Sequence, residues 1–266
     1  MDAGTILRDR AGIDPDEYAD TLTDLASGAV MWVVVSGKMC AGKDTIAPAL
    51  VDLMPTRTTM LRYGNLMRAE LDPALDVIRA HYPDGSLFED DVVEKVAETL
   101  TLPLEHARTL VDRLAPEMVA SDGTLTASSR TEGIRSVLQD LGDDWRCIED
   151  PDYWARKAAQ ESMAELASGR SVILTGGRFL PDVDMPRAAG AFLLRLSVTR
   201  QTQIERLSAR DGIAPSAETL RALDHKGETA LDGYAHFDTV VDNNGHIDKA
   251  LHASRTALAT RLEAAA

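Results

Sequence analysis

Ser36-Gly37-Lys38-Met39-Cys40-Ala41-Gly42-Lys43-Asp44-Thr45 is the stretch whose reading decides the fold. It stands directly after the apolar run Val30-Met31-Trp32-Val33-Val34-Val35 and opens a helical pattern from Asp44 to Leu53. A short, continuous apolar run reads as a strand buried on both faces. The sequence therefore predicts strand, glycine-bounded loop and helix, the context in which a glycine-lysine match becomes a phosphate-binding loop. Gly37 and Gly42 let the backbone curl so that successive N–H groups point inward. Lys38 and Ala41 lie inside that curl. The helix adds its positive N-terminal end, and Lys43 is placed to reach the β- and γ-phosphates of a nucleotide. Such loops usually follow the lysine with Ser or Thr, whose hydroxyl binds magnesium. Here that position is Asp44, with Thr45 next. Either Asp44, directly or through water, or Thr45 takes the metal role, and the sequence leaves both open.

Working outward, further strands are expected at Thr58 to Leu61, Ser171 to Thr175, Ala191 to Leu196 and Thr239 to Val241. Helical patterns separate them, among them Arg200 to Arg210 and Ile247 to Glu263. Apolar strands alternating with helices indicate an α/β fold, a parallel sheet covered on both faces. Residues 1–29 read as an N-terminal helical extension, with Asp14-Pro15-Asp16-Glu17 as a helix start. Residues 30–266 form the main domain. Its mostly helical, polar segment at about 63–165 is an insertion suited to substrate binding, with a loop at Ser121 to Arg130.

Composition narrows the function classes. The 266 residues are 44% apolar and 27% charged, ordinary for a folded protein. The net charge of −15 gives the chain no overall basic footprint, so nucleic acid is not the expected partner. Cys40 and Cys147 suggest neither a disulfide nor a zinc framework, which points to a reduced, cytoplasmic protein. No run approaches the ~18 apolar residues of a membrane span, and Met1-Asp2-Ala3-Gly4 lacks a signal-peptide core.

The loop phrase Ser36 to Thr45 resembles the nucleotide loop of phage-type deoxynucleoside monophosphate kinases, where Gly-Lys-Asp-Thr is common; animal-type phosphomevalonate kinases carry a similar loop. Arg135-Ser-Val-Leu-Gln-Asp-Leu-Gly142 with Trp145-Arg146 and Asp152-Tyr-Trp154 is similar to the kinase family's Arg-x-x-Leu-Gln-x-x-Gly segment. His225-Lys-Gly-Glu228, Asp238 and Asn243-Asn-Gly245 resemble its C-terminal motifs. Gln203 to Gly212 is also similar to the lid of dephospho-coenzyme A kinases. The resemblance covers scattered motifs between about residues 30 and 250. It implies a three-layer P-loop NTPase fold with a helical acceptor-binding insertion, a lid at about 200–232, magnesium, and γ-phosphoryl transfer from ATP to a nucleoside monophosphate.

On that reading Gly37, Lys38, Ala41, Gly42, Lys43, Asp44 and Thr45 hold ATP, and Asp44 or Thr45 the metal. Arg135 and Arg146 converge on the acceptor phosphate, since a guanidinium binds it bidentately, and Gln139 reads a base edge. Arg68 either faces the acceptor phosphate or is an exposed helix residue. Arg178 contacts a substrate phosphate. Arg206 and Arg210, four apart on one helix face, either close over the transferring phosphate or form a solvated face. In the family an Asp usually ends the strand where Gly176 stands, so its work passes to Asp44, Asp182 or Asp184. Competing expectations are another acceptor (dephospho-coenzyme A, a phosphorylated metabolite or a hydroxymethylated base in phage DNA) and a catalytically inactive nucleotide-binding protein. A homodimer is left open.

Overall fold

Five strands form one parallel sheet in the computed structural model, which describes residues 1–83, 85–86, 89–148 and 150–265. They are β1 (Trp32–Gly37), β2 (Thr58–Arg62), β3 (Ser171–Thr175), β4 (Phe192–Ser197) and β5 (Thr239–Asp242), in the order β2-β3-β1-β4-β5. β1 is central. Val34 pairs with Leu174 of β3 on one side and Leu193 of β4 on the other. Every residue of β1 and β3 is buried, which is why both read as unbroken apolar runs.

Side chains alternate between the two faces of the sheet. Val33, Val35, Ile173, Leu194, Leu196 and Val241 share a core with Ile46, Leu50, Ala250 and Leu258 from the helices after β1 and β5. The opposite face carries Val34 and meets helix Leu180–Ala188, which buries Val183 and Met185. The protein is thus a three-layer α/β fold of the P-loop NTPase type, with the sheet flanked by helices.

The chain divides into two compact units, Met1–Tyr63 with Ala155–Ala266, and Gly64–Trp154. The second is helical and has its own core, built on Leu71, Leu75 and Ile78, Val92 and Val96, Leu110, Leu114 and Met118, and Val137.

Two local expectations need correction. The helix read from Asp44 to Leu53 is an α-helix only over Lys43–Ile46 and a 3-10 helix over Pro48–Leu53. Pro48 has no N–H, and its ring crowds the carbonyl of residue i−4. At the N-terminus, residues 15–18 form a turn and the α-helix begins at Ala19. Asp14 Oδ1 accepts the Asp16 N–H, and both carboxylates pair with Arg8, so they fix a turn and an ion pair instead of a helix start.

Candidate functional site

The Gly37–Thr45 loop leaves the C-terminal end of the central strand, where the chain goes on to β2 on one side of β1 and later to β4 on the other. Ligands of open α/β sheets bind at such switch points. The glycines are required. At Gly37 (φ +156°) a Cβ would lie 2.8 Å from the Leu196 carbonyl and 2.9 Å from Ala41 Cβ. At Gly42 (φ +91°) it would lie 2.6 Å from Asn243 Nδ2, which donates to the Ala41 carbonyl at 2.9 Å. Cys40 is also held at positive φ, 58°.

Within the curl the Ala41 N–H donates to the Lys38 carbonyl (3.1 Å) and the Met39 N–H to Glu228 Oε2 (2.6 Å). The N–H groups of Cys40, Gly42, Lys43 and Asp44 have no acceptor among the described residues. Successive unengaged amides at a helix entry form a concavity for anions. Lys43 Nζ donates to the Gly37 and Lys38 carbonyls at 2.6 and 2.8 Å. Burial, then the Arg178 charge, push its pKa down to about 8. An entering anion favours the charged form and so opposes the shift.

Further cations lie in and around the loop. Arg178 Nη1 is 3.0 Å from Glu228 Oε1. Lys38 Nζ is 2.7 Å from Asp232. Arg195, in β4, is buried; it donates to Ser36 Oγ (3.0 Å), pairs with Asp232 (3.3 Å) and lies over the Phe237 ring. Burial lowers the pKa of Arg195, opposed by Asp232 and Glu228. Sequence reasoning missed Arg195, although a lone arginine inside the run Phe192-Leu-Leu-Arg-Leu196 was the signal. A cation in a doubly buried strand needs a partner.

Helix Arg200–Asp211 lies against the loop. Gln203 Nε2 donates to the Met39 carbonyl (2.9 Å), and Arg206 donates to the carbonyls of Cys40 (2.9 Å) and Asn243 (2.6 Å). Arg206 therefore braces the loop backbone. Arg210 is exposed and pairs with its neighbour Asp211 at 2.7 Å, while Arg200 pairs with Asp224. The lid expectation puts Arg206 and Arg210 to one use, but here their guanidinium groups have different partners.

The oxygen donors divide just as clearly. Asp182 is buried and accepts the N–H groups of Arg178 (2.7 Å) and Phe179 (2.9 Å), fixing the start of helix Leu180–Ala188. Burial raises its pKa despite those bonds. Tyr63 Oη has no well-formed hydrogen bond among the described residues. Burial, then the charge of Asp182, push that phenol well above its ordinary value. Asp184 accepts from Tyr234 Oη at 2.8 Å. Asp182 is committed to those amides and Asp184 has Tyr234 as a partner, while Gly176, where the family's aspartate is expected, has a φ of +94°. Asp44 and Thr45 remain, both exposed, with Asp44 2.8 Å from Arg62 Nη1. Hard oxygen donors of this kind suit Mg2+, which keeps several waters and uses one or two protein ligands plus nucleotide phosphates. No cluster of three or more His, Cys, Asp or Glu among the described residues could hold a metal by itself.

In the helical unit, Arg135 and Gln139 are exposed one turn apart on helix Glu132–Asp140, whose N-cap Thr131 accepts the Ile134 N–H. Arg68 is half-buried and donates to the Gly64 carbonyl at 2.9 Å. Arg146 is engaged within the helical unit. Its Nε pairs with Glu70 at 2.7 Å, the two side chains being 13% and 9% exposed. Its terminal nitrogens donate to the Leu100 and Thr101 carbonyls at the end of helix Asp90–Leu100, and it stacks over Tyr153. The sequence pairs Arg146 with Arg135 at the acceptor phosphate; the structure gives Arg146 this bond set and leaves Arg135 exposed.

This chain matches no protein-family model and no curated protein. Among the described residues no helix is long and apolar enough to cross a membrane.

Proposed function

We propose that the protein is a P-loop phosphotransferase that moves the γ-phosphoryl group of ATP to a (deoxy)nucleoside monophosphate, giving the diphosphate. The observation that carries this reading is the loop at the end of β1. Lys43 sits at the entry of a helix beside the amides of Cys40, Gly42, Lys43 and Asp44, which have no acceptor among the described residues. Phosphoryl transfer demands positioning and charge neutralisation more than covalent chemistry. Lys43 and the amides bind the polyphosphate, and Arg178 neutralises charge at its end. Asp44 and Thr45 are the residues to hold magnesium, which supplies charge neutralisation between the phosphates when bound. Arg135, Gln139 and Arg68 are the acceptor-contacting residues on this reading. An acceptor phosphate oxygen is already nucleophilic, so no general base is needed.

A second reading, a nucleotide-binding protein without catalysis, is favoured by Gly176 and by the structural bonds of Asp182 and Asp184. The two separate in one assay. Magnesium-dependent ADP release that rises with a nucleoside monophosphate supports the kinase. ATP binding with no acceptor-dependent release supports the second reading.

A further inference from the structure

Helix Lys226–Thr229 and the turn after it carry two carboxylates four residues apart, Glu228 and Asp232, and each makes the same pair of contacts. Glu228 accepts the loop amide of Met39 (2.6 Å) and pairs with Arg178 (3.0 Å). Asp232 pairs with the loop side chain of Lys38 (2.7 Å) and with Arg195 (3.3 Å). Each carboxylate thus ties one group of the phosphate loop to one arginine outside it. We infer that Glu228 is a positioning residue of the phosphate site, fixing the Met39 amide and aiming the Arg178 guanidinium, with Asp232 doing the same for Lys38 and Arg195.

The packing around Glu228 supports a fixed brace over a plug that a phosphate must displace. Its side chain is 1% exposed. The adjoining Gly227 is buried too, and a Cβ there would lie 3.2 Å from Arg178 Cδ and 3.5 Å from the Phe179 ring, so the helix is seated against the residues it orients. A buried carboxylate whose two oxygens have different partners holds both in one geometry. Positioned donors are worth more to a developing charge than mobile ones, because no reorganisation is left for the reaction step. Charge balance agrees: Lys38, Lys43, Arg178, Arg195 and Arg206 bring positive charge to the loop, and the two carboxylates offset part of it.

The inference rests on the phosphotransferase reading for its catalytic consequence, but the brace itself is measurable without turnover. The experiment compares wild type, Glu228→Ala and Glu228→Gln by amide hydrogen exchange at Met39 and by calorimetric titration with ATP. In Glu228→Ala, loss of a charge-assisted bond speeds Met39 exchange by about tenfold or more and weakens ATP binding by a similar factor. Glu228→Gln keeps an acceptor for Met39 but no charge for Arg178, so both effects are smaller and kcat falls more than KM for ATP rises. If Glu228→Ala does not fold, Glu228→Gln decides by ATP binding and by the split between kcat and KM. Unchanged Met39 exchange in Glu228→Ala overturns the inference, as does unchanged or tighter ATP binding in Glu228→Gln, tighter binding being the mark of a carboxylate that obstructs. If wild type binds no ATP, the phosphotransferase reading fails, and Met39 exchange still decides the brace.

Discussion

Replacing Arg146 with alanine separates a structural arginine from a substrate-binding one. Sequence spacing assigns Arg146 to the acceptor phosphate together with Arg135, whereas the fold commits it to Glu70, to the end of helix Asp90–Leu100 and to the Tyr153 ring. Removing one partner of a buried ion pair strands the other charge, which costs about 3–5 kcal/mol. Here Glu70 keeps a bond from Tyr153 Oη at 2.8 Å, so the lower half of that range is expected, about 3–4 kcal/mol. Thr101 is exposed, so water can satisfy its carbonyl, whereas Leu100 is buried and its carbonyl loses a donor. At about 2–4 °C per kcal/mol for a domain of this size, Arg146→Ala lowers Tm by roughly 10 °C. The assay is thermal unfolding followed by circular dichroism, with Arg135→Ala as the control. Arg135 is exposed, and its loss changes stability by no more than about 0.5 kcal/mol. The double variant Arg146→Ala/Glu70→Ala is less destabilised than the sum of the single variants, since removing both charges leaves none unpaired. A Tm for Arg146→Ala within 2 °C of wild type, combined with a large loss of acceptor affinity, would refute this reasoning and restore the substrate role.

Other consequences follow from the loop. Lys43→Ala abolishes turnover while the circular dichroism spectrum stays native; full activity in that variant removes the phosphate-loop assignment. Because the Lys43 pKa is pushed down to about 8, the group is charged below that pH and loses its charge as pH rises through it. ATP affinity therefore falls between pH 7.5 and 9, where an ordinary lysine stays charged. Calorimetry at pH 8 in buffers of different ionisation enthalpy finds about half a proton taken up per ATP bound, and no uptake there contradicts the lowered pKa. Gly42→Ala puts a Cβ against the Asn243 amide and forces a positive φ, costing about 1–3 kcal/mol and most ATP affinity. Thermal unfolding with and without ATP measures both effects.

Much of the sheet was legible because burial on both faces leaves its mark on composition. Ser171 to Thr175 is a strand over the residues that the apolar run indicated. β1 runs two residues later than its apolar core, through Ser36 and Gly37, because parallel pairing with Arg195 and Leu196 continues after hydrophobicity ends. What periodicity could not carry was partnership. Arg135 and Arg146 look alike as residues in a motif, and only tertiary contacts leave one exposed and lock the other onto Glu70. Arg195 was hidden for the opposite reason: it lies inside a strand, where an arginine reads as an interruption, until Ser36, Asp232 and Phe237 appear around it. The loop glycines were readable from their spacing around Lys43, although what crowds them, Leu196 beside Gly37 and Asn243 beside Gly42, is tertiary. Gly176 shows the limit. The structure adds a positive φ at that position, whereas a sequence alone shows only a missing carboxylate.

The central claim is that the loop after β1 holds ATP for transfer to a nucleoside monophosphate. Its most direct test is magnesium-dependent ADP release from ATP, measured across deoxy- and ribonucleoside monophosphates with dephospho-coenzyme A as a further acceptor. The account predicts strong stimulation by one or a few nucleoside monophosphates, lost in Lys43→Ala. Silence across the panel contradicts it.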